Sequence, residues 1–215
     1  MVSRLLSRRE MAVWCISLLA GLLLCGLLQG VLGWGRVQLD TGTALCADTL
    51  RLHIRADSDR LADQTAKLIV RDTLLACMDT RCPAQDKPDA LRWAAQNLPA
   101  LELMARQTLA RLGFAPAARA CLVNMYFSTS RYPGGQLPAG RYDALRIELG
   151  ENARTGKNWW CVLYPGLCRS ACGGYALPEE NDLVCGGYIL RFRLVDWVQE
   201  NTAPRTDRTL LAPGA

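Results

Sequence analysis

The sequence predicts an α+β domain of two layers, a mostly antiparallel sheet of about five strands with three helices on one face, preceded by an N-terminal hydrophobic signal or anchor helix. Three observations carry this. An uncharged apolar run opens the chain. A segment of strict alternation then gives way to a long stretch of helical periodicity. Four further strand-like segments follow the helices.

Arg4, Arg8 and Arg9 precede the apolar run, which holds no charged residue from Met11 onward until Arg36. A basic flank followed by an apolar run is the pattern of a secretion signal or a membrane anchor. The run is long for a signal core, and a spanning helix needs roughly 20 apolar residues. Gly33-Trp34-Gly35 offers small residues for cleavage. Residues 1–35 are therefore either a cleaved signal peptide or an uncleaved anchor that meets the membrane through residues 11–34. Either outcome places the rest of the chain outside the cytoplasm. Residues 36–48 read as a linker, 49–200 as one folded domain, and 201–215 as a flexible tail.

In TLRLHIR, Leu50, Leu52 and Ile54 alternate with Arg51, His53 and Arg55, the pattern of a half-buried strand. Asp57, Ser58 and Asp59 suit a helix start, and Ser58 is the expected cap. Leu61, Leu68, Ile69, Leu74, Leu75 and Met78 then recur at helical spacing, predicting a helix over 60–78. A second helix is expected from Pro88, capped by Asp86, to Asn97. A third runs from Pro99 to a stop at Gly113. Strands are expected at ACLVNMYFS, RYDALRIELG, NWWCVLY and YILRFRLVDWV, with residues 131–140 as a Pro/Gly loop and 150–156 as a polar turn.

The formal charge is +5, and beyond residue 34 there remain 22 basic and 19 acidic residues. That is too mild for a nucleic-acid partner. Eight cysteines lie outside the apolar run, and Cys161, Cys168, Cys172 and Cys185 lack the paired knuckles of a zinc ribbon. An even count outside the cytoplasm favours disulfides. A turn at Pro165-Gly166 would let Cys161 and Cys168 approach, closing a short loop worth roughly 2–3 kcal/mol. Cys172 and Cys185 form a second candidate pair. No metal site and no cofactor are expected. Asp57, Asp59 and Asp63 are explained by helix capping, and Glu179, Glu180 and Asp182 read as a solvated loop. His53, the one histidine, stands on the polar face of its strand. Trp159 and Trp160 are adjacent in a strand, so they face opposite sides of the sheet. One fills the core, and the other is either covered by a loop or free as a binding anchor.

The segments RLHIRADSD (51–59), DQTAKLIVRD (63–72) and LPAGRYDALRIELGENARTGKNWWCVLYPGLC (137–168) together resemble the stage II sporulation protein R family. The resemblance covers nearly all of the chain after the apolar run. It implies a signalling protein and not an enzyme. Such a protein is made in the forespore and exported to the space between the two sporulation membranes. There it triggers a membrane-embedded aspartic protease of the mother cell, which removes the pro-sequence of sigma-E. Motif membership makes Trp159, Trp160, His53, Asp59, Arg141 and Tyr142 the candidate partner-binding residues. The family's Asn in its A-N-S-D motif is Asp57 here, which removes any amide role at that position. Two rival readings stand beside this one. The first is an exported thiol or hydrolytic enzyme using Cys161 and His53. The second is a cell-wall-binding module using the tryptophan pair.

Overall fold

A computed structural model describes residues 7–82, 85–132, 135–151, 156–166, 174, 175, 177–185, 201 and 206–211. The chain divides into two units, Met1–Thr41 and Gly42–Ala215. Helix α1 (Arg8–Asp48) opens with a reciprocal cap that the sequence carries as S-x-x-E. The Ser7 N–H donates to the Glu10 carboxylate at 2.7 Å, and the Glu10 N–H donates to Ser7 Oγ at 3.3 Å. The leucines of the apolar run, Leu22, Leu23, Leu27 and Leu32 among them, are exposed. By length and composition this helix is able to cross a membrane.

The helix continues through residues 36–48, where the sequence predicts a linker. Its last turn belongs to the second unit and is fastened there. Leu45 is fully buried beside Leu137, Val162, Tyr175 and Val184. The Thr49 hydroxyl donates to the Leu45 carbonyl at 2.7 Å, satisfying one of the acceptors that a helix end leaves open.

The second unit is built on a five-stranded sheet. Strands β1 (Leu50–Arg55), β2 (Ala118–Phe127), β5 (Gly140–Leu149), β6 (Asn158–Tyr164) and β7 (Arg208–Leu211) lie in the order β6-β1-β5-β2-β7. The β1–β5 pair is parallel, and the other three are antiparallel. β7 comes from the expected flexible tail. Residues 188–198, the other predicted strand, lie outside the described residues. The predicted 131–140 loop holds a small hairpin, β3 (Ser130–Tyr132) and β4 (Gly135–Leu137).

Two helices pack on one face. α2 (Leu61–Arg81) buries Ala66, Val70, Leu74 and Met78, spaced four apart so that they form one stripe. α3 (Lys87–Arg111) starts as expected at Asp86, whose side chain accepts from the Asp89 N–H at 2.7 Å. It ends at Gly113, which takes φ +80°. The two helices predicted over 88–112 are one, because the chain stays helical through Pro99. Proline there removes one internal hydrogen bond, and burial of Ala94, Leu98, Leu101 and Ala105 on one face offsets that loss. Their partners are Leu50, Leu52 and Ile54 of β1, Leu145, Ile147 and Leu149 of β5, and Leu122 of β2.

The opposite face of the sheet is covered too, which the alternation of β1 does not announce. Arg51 and His53 were expected to face outward, yet their exposures are 0% and 1%. On this face the strands themselves present a second buried cluster, Cys121, Val123 and Phe127 of β2 with Tyr142 and Ala144 of β5, and Cys46, Met125 and Trp160 pack at its margin. The hairpin packs against α4 (Pro178–Cys185), and a Cβ built at Gly135 would lie 2.8 Å from the Val184 carbonyl oxygen. Helix α4 occupies the stretch predicted as a solvated acidic loop, and its Glu180 is 1% exposed.

Candidate functional site

Register assigns each candidate side chain to a face. In the β1–β6 pair, His53 is opposite Trp160, Leu52 opposite Cys161, and Ile54 opposite Trp159. Paired residues point to the same side. His53 and Trp160 therefore share the helix-free face, while Trp159 and Cys161 share the helix face. Trp159 packs beside the main core, and the Arg71 guanidinium of α2 lies over its ring at 5.1 Å. Trp160 is half-buried, with its ring 6.1 Å from Phe127 and 6.3 Å from His53. Each tryptophan is thus packed by its own chain.

The helix-free face assembles an aromatic and cationic cluster. Phe127 is its centre, edge-on to His53, Tyr142 and Trp160. The Arg51 guanidinium lies 4.0 Å from the Phe127 ring centroid and 5.1 Å from that of Tyr142. Tyr142 is fully buried, and its hydroxyl donates to the Pro138 carbonyl at 2.6 Å. Burial holds the Tyr142 phenol well above its ordinary pKa. Arg51 donates from Nη2 to Ser130 Oγ at 3.1 Å and to the Tyr132 hydroxyl at 2.6 Å.

Neither ring nitrogen of His53 makes a hydrogen bond of sound geometry among the described residues. Burial depresses its pKa to about 3. The nearby Asn158 side chain acts against that shift, and Arg55, Arg146 and Arg51 add to it. A general base needs a pKa near the working pH and a nucleophile within reach. His53 has neither: Cys161 is disulfide-bonded and on the far side of the sheet. Cys121, on the same face as His53, has its thiol pKa raised by burial. The Cys161–His53 pairing is therefore removed as a catalytic arrangement.

Asp59 and Arg141 lie outside this cluster. Asp59 Oδ1 accepts from the Lys157 N–H at 2.6 Å, joining the β1–α2 loop to the β5–β6 turn. That turn supplies Gly150, with φ +82°, and Gly156. A side chain at Gly150 would collide with Asp57, and one at Gly156 with the Ala56 carbonyl. Ser58 does not occupy the cap position of α2, which is Arg60. Its hydroxyl instead accepts from the Arg60 N–H at 3.2 Å and donates to Asp63. Arg141 binds Asn124 twice, from Nε to Oδ1 at 2.8 Å and from Nη2 to the carbonyl at 2.6 Å. Cys185, like Cys161, is disulfide-bonded. Cys168 and Cys172 lie outside the described residues. At the expected turn Pro165 follows a cis peptide bond and Gly166 has φ +100°. No group of acidic, histidine or cysteine side chains able to hold a metal occurs among the described residues.

Nothing in the sequence placed Arg51 and Phe127 in this site, and the burial of Glu180 in α4 was not expected either. Arg51 carried a signal all the same, since an arginine in an apolar alternation is a residue that needs a covering layer or water. Comparison with known proteins places the cluster in context. The family described as stage II sporulation protein R matches residues 46–172, a span that contains Arg51, His53, Phe127, Tyr142 and Trp160. The stage II sporulation protein R of Bacillus subtilis (strain 168) is 33% identical over 135 residues, covering 62% of this chain and 59% of that protein. The chain thus matches about three-fifths of the length of this curated relative. No solved structure matches.

Proposed function

The chain belongs to the stage II sporulation protein R family, and on that premise we propose that it is an exported sporulation signal that activates a membrane-embedded aspartic protease. The protein leaves the forespore through its N-terminal segment, acts in the space between the two membranes, and triggers processing of pro-sigma-E in the mother cell. Family membership carries the reading. Two further observations support it. The apolar helix at the N-terminus suits export or anchoring. The one histidine is buried and neutral, and burial raises the pKa of the Cys121 thiol on the same face, keeping it protonated.

An activator of this kind must bind the active state of its target better than the inactive one. The cluster around Phe127 is buried, so the half-buried Trp160 and Met125 at its margin are the residues offered for that contact. A wall-binding module would present its tryptophans together as a platform, whereas Trp159 and Trp160 serve opposite faces. Co-expression with the protease and pro-sigma-E in a non-sporulating host tests the proposal. Processing rises when this protein is present; processing that is no better with it than without it refutes the reading.

A further inference from the structure

We propose that Glu180 and Asp48 form a carboxyl pair that latches α4 to the end of α1 by sharing one proton, so that α4 is held in acid and loosens as the pH rises. Helix α4 has eight residues, too few to be stable by itself. Tertiary contacts keep it in place. Val184 packs with Leu45 of α1, Leu137 of β4, Val162 of β6 and Tyr175. The Gly135 backbone of β4 lies against the Val184 carbonyl. Asp48 is the last residue of α1, one turn beyond Leu45.

Glu180 is all but fully buried, and neither of its oxygens receives a hydrogen bond. The titratable groups that face it among the described residues are all acids: Asp48 of α1, Glu179 beside it on α4, and the Tyr175 phenol. Two cations packed around the same elements are committed elsewhere. Lys87 donates to the Ala47 carbonyl and pairs with Asp143 at 2.7 Å, and Arg51 donates to Ser130 and Tyr132. A carboxylate only accepts, so two that face each other repel until a proton joins them. With the proton on Glu180, its O–H donates to the exposed Asp48 carboxylate. Burial, and then Asp48, accordingly raise the Glu180 pKa above its ordinary 4.5. Loss of that proton to solvent leaves a buried, unpaired anion beside a second anion. Local opening of α4 relieves this by carrying Glu180 into water. The open state titrates near 4.5 and the closed state higher. The latch is therefore complete below about 4.5 and is lost as pH rises through the closed-state value.

Hydrogen exchange of the purified full-length chain in detergent micelles, with the disulfide at Cys185 intact, reads the latch by mass spectrometry. Each rate is divided by the intrinsic rate at that pH. Protection across α4 should fall about tenfold or more between about pH 5 and pH 8, the effect of one pKa unit of linkage. Protection in β1 and β5 should not fall over that range. Glu180→Gln keeps a donor for Asp48 and removes the titration, so its α4 should be equally protected at both pH values. Asp48→Asn sets an amide donor against Glu180 and should shrink the fall. The latch is overturned if α4 of the wild type shows no fall, if β1 and β5 fall with it, if the fall persists in Glu180→Gln, or if Asp48→Asn leaves it unchanged. A chain that fails to stimulate pro-sigma-E processing refutes the signalling reading and leaves the latch standing.

Discussion

Two buried ionisable side chains give the domain opposite responses to pH. His53 has a folded pKa near 3 against an ordinary 6.5, so the unfolded chain binds the extra proton between those values. Stability attributable to His53 is complete above about pH 6.5. It is lost as pH falls toward 3, at roughly 1.4 kcal/mol per pH unit. His53→Gln removes that dependence. Urea unfolding from pH 7 to 4 should show wild type losing stability relative to the variant, and parallel curves would contradict the burial of a neutral imidazole. Glu180 runs the other way, because burial and the neighbouring Asp48 and Glu179 carboxylates raise its pKa above 4.5. Its contribution is complete below about 4.5 and is lost as pH rises through the folded value. Glu180→Gln should therefore melt higher than wild type at pH 7, with the difference shrinking toward pH 4. Neither environment was legible in the sequence. Alternation assigns His53 to a face, but it does not tell whether tertiary packing keeps that face dry.

At the level of elements, the β1–α2 loop and the β5–β6 turn form one interlocked joint. Asp59 receives the Lys157 N–H across it, and Gly150 and Gly156 leave room for Asp57 and Ala56. Gly156→Ala forces a methyl group against a backbone carbonyl and should cost about 1–3 kcal/mol in urea unfolding. Asp59→Ala, losing one exposed acceptor, should cost about 1 kcal/mol. An unchanged midpoint for Gly156→Ala would mean that the loop does not pack as described. The elements themselves were largely readable. Helix α2, the start and stop of α3, and the faces of β1, β5 and β6 follow from periodicity and capping residues. The misses share one cause, which is tertiary packing overriding a local signal. Pro99 reads as a helix start, but a continuous buried stripe on either side keeps the helix whole. Residues 36–48 lack a clear period, but one leucine, Leu45, buried in the second unit anchors the last turn. The 131–140 stretch and the tail became strands because each found an edge or a partner to pair with.

For the whole molecule, the apolar helix and the cysteines make a joint statement about compartment. Cys161 and Cys185 are disulfide-bonded, while Cys77 and Cys121 are free thiols. Disulfides persist outside the reducing cytoplasm. Peptide mapping of denatured, unreduced protein should find Cys161 and Cys185 protected from alkylation in the exported chain. A chain lacking residues 1–35, retained in the cytoplasm, should have both thiols alkylated. Protection in both chains would separate the disulfides from export. The adjacent tryptophans, which the strand pattern assigns to opposite faces of the sheet, serve two different layers. The central claim is that this domain activates a protease, and its most direct measurement is pro-sigma-E processing on co-expression with the protease in a non-sporulating host. The account predicts processing that depends on this chain and survives His53→Gln. Processing that is indifferent to the chain would contradict it.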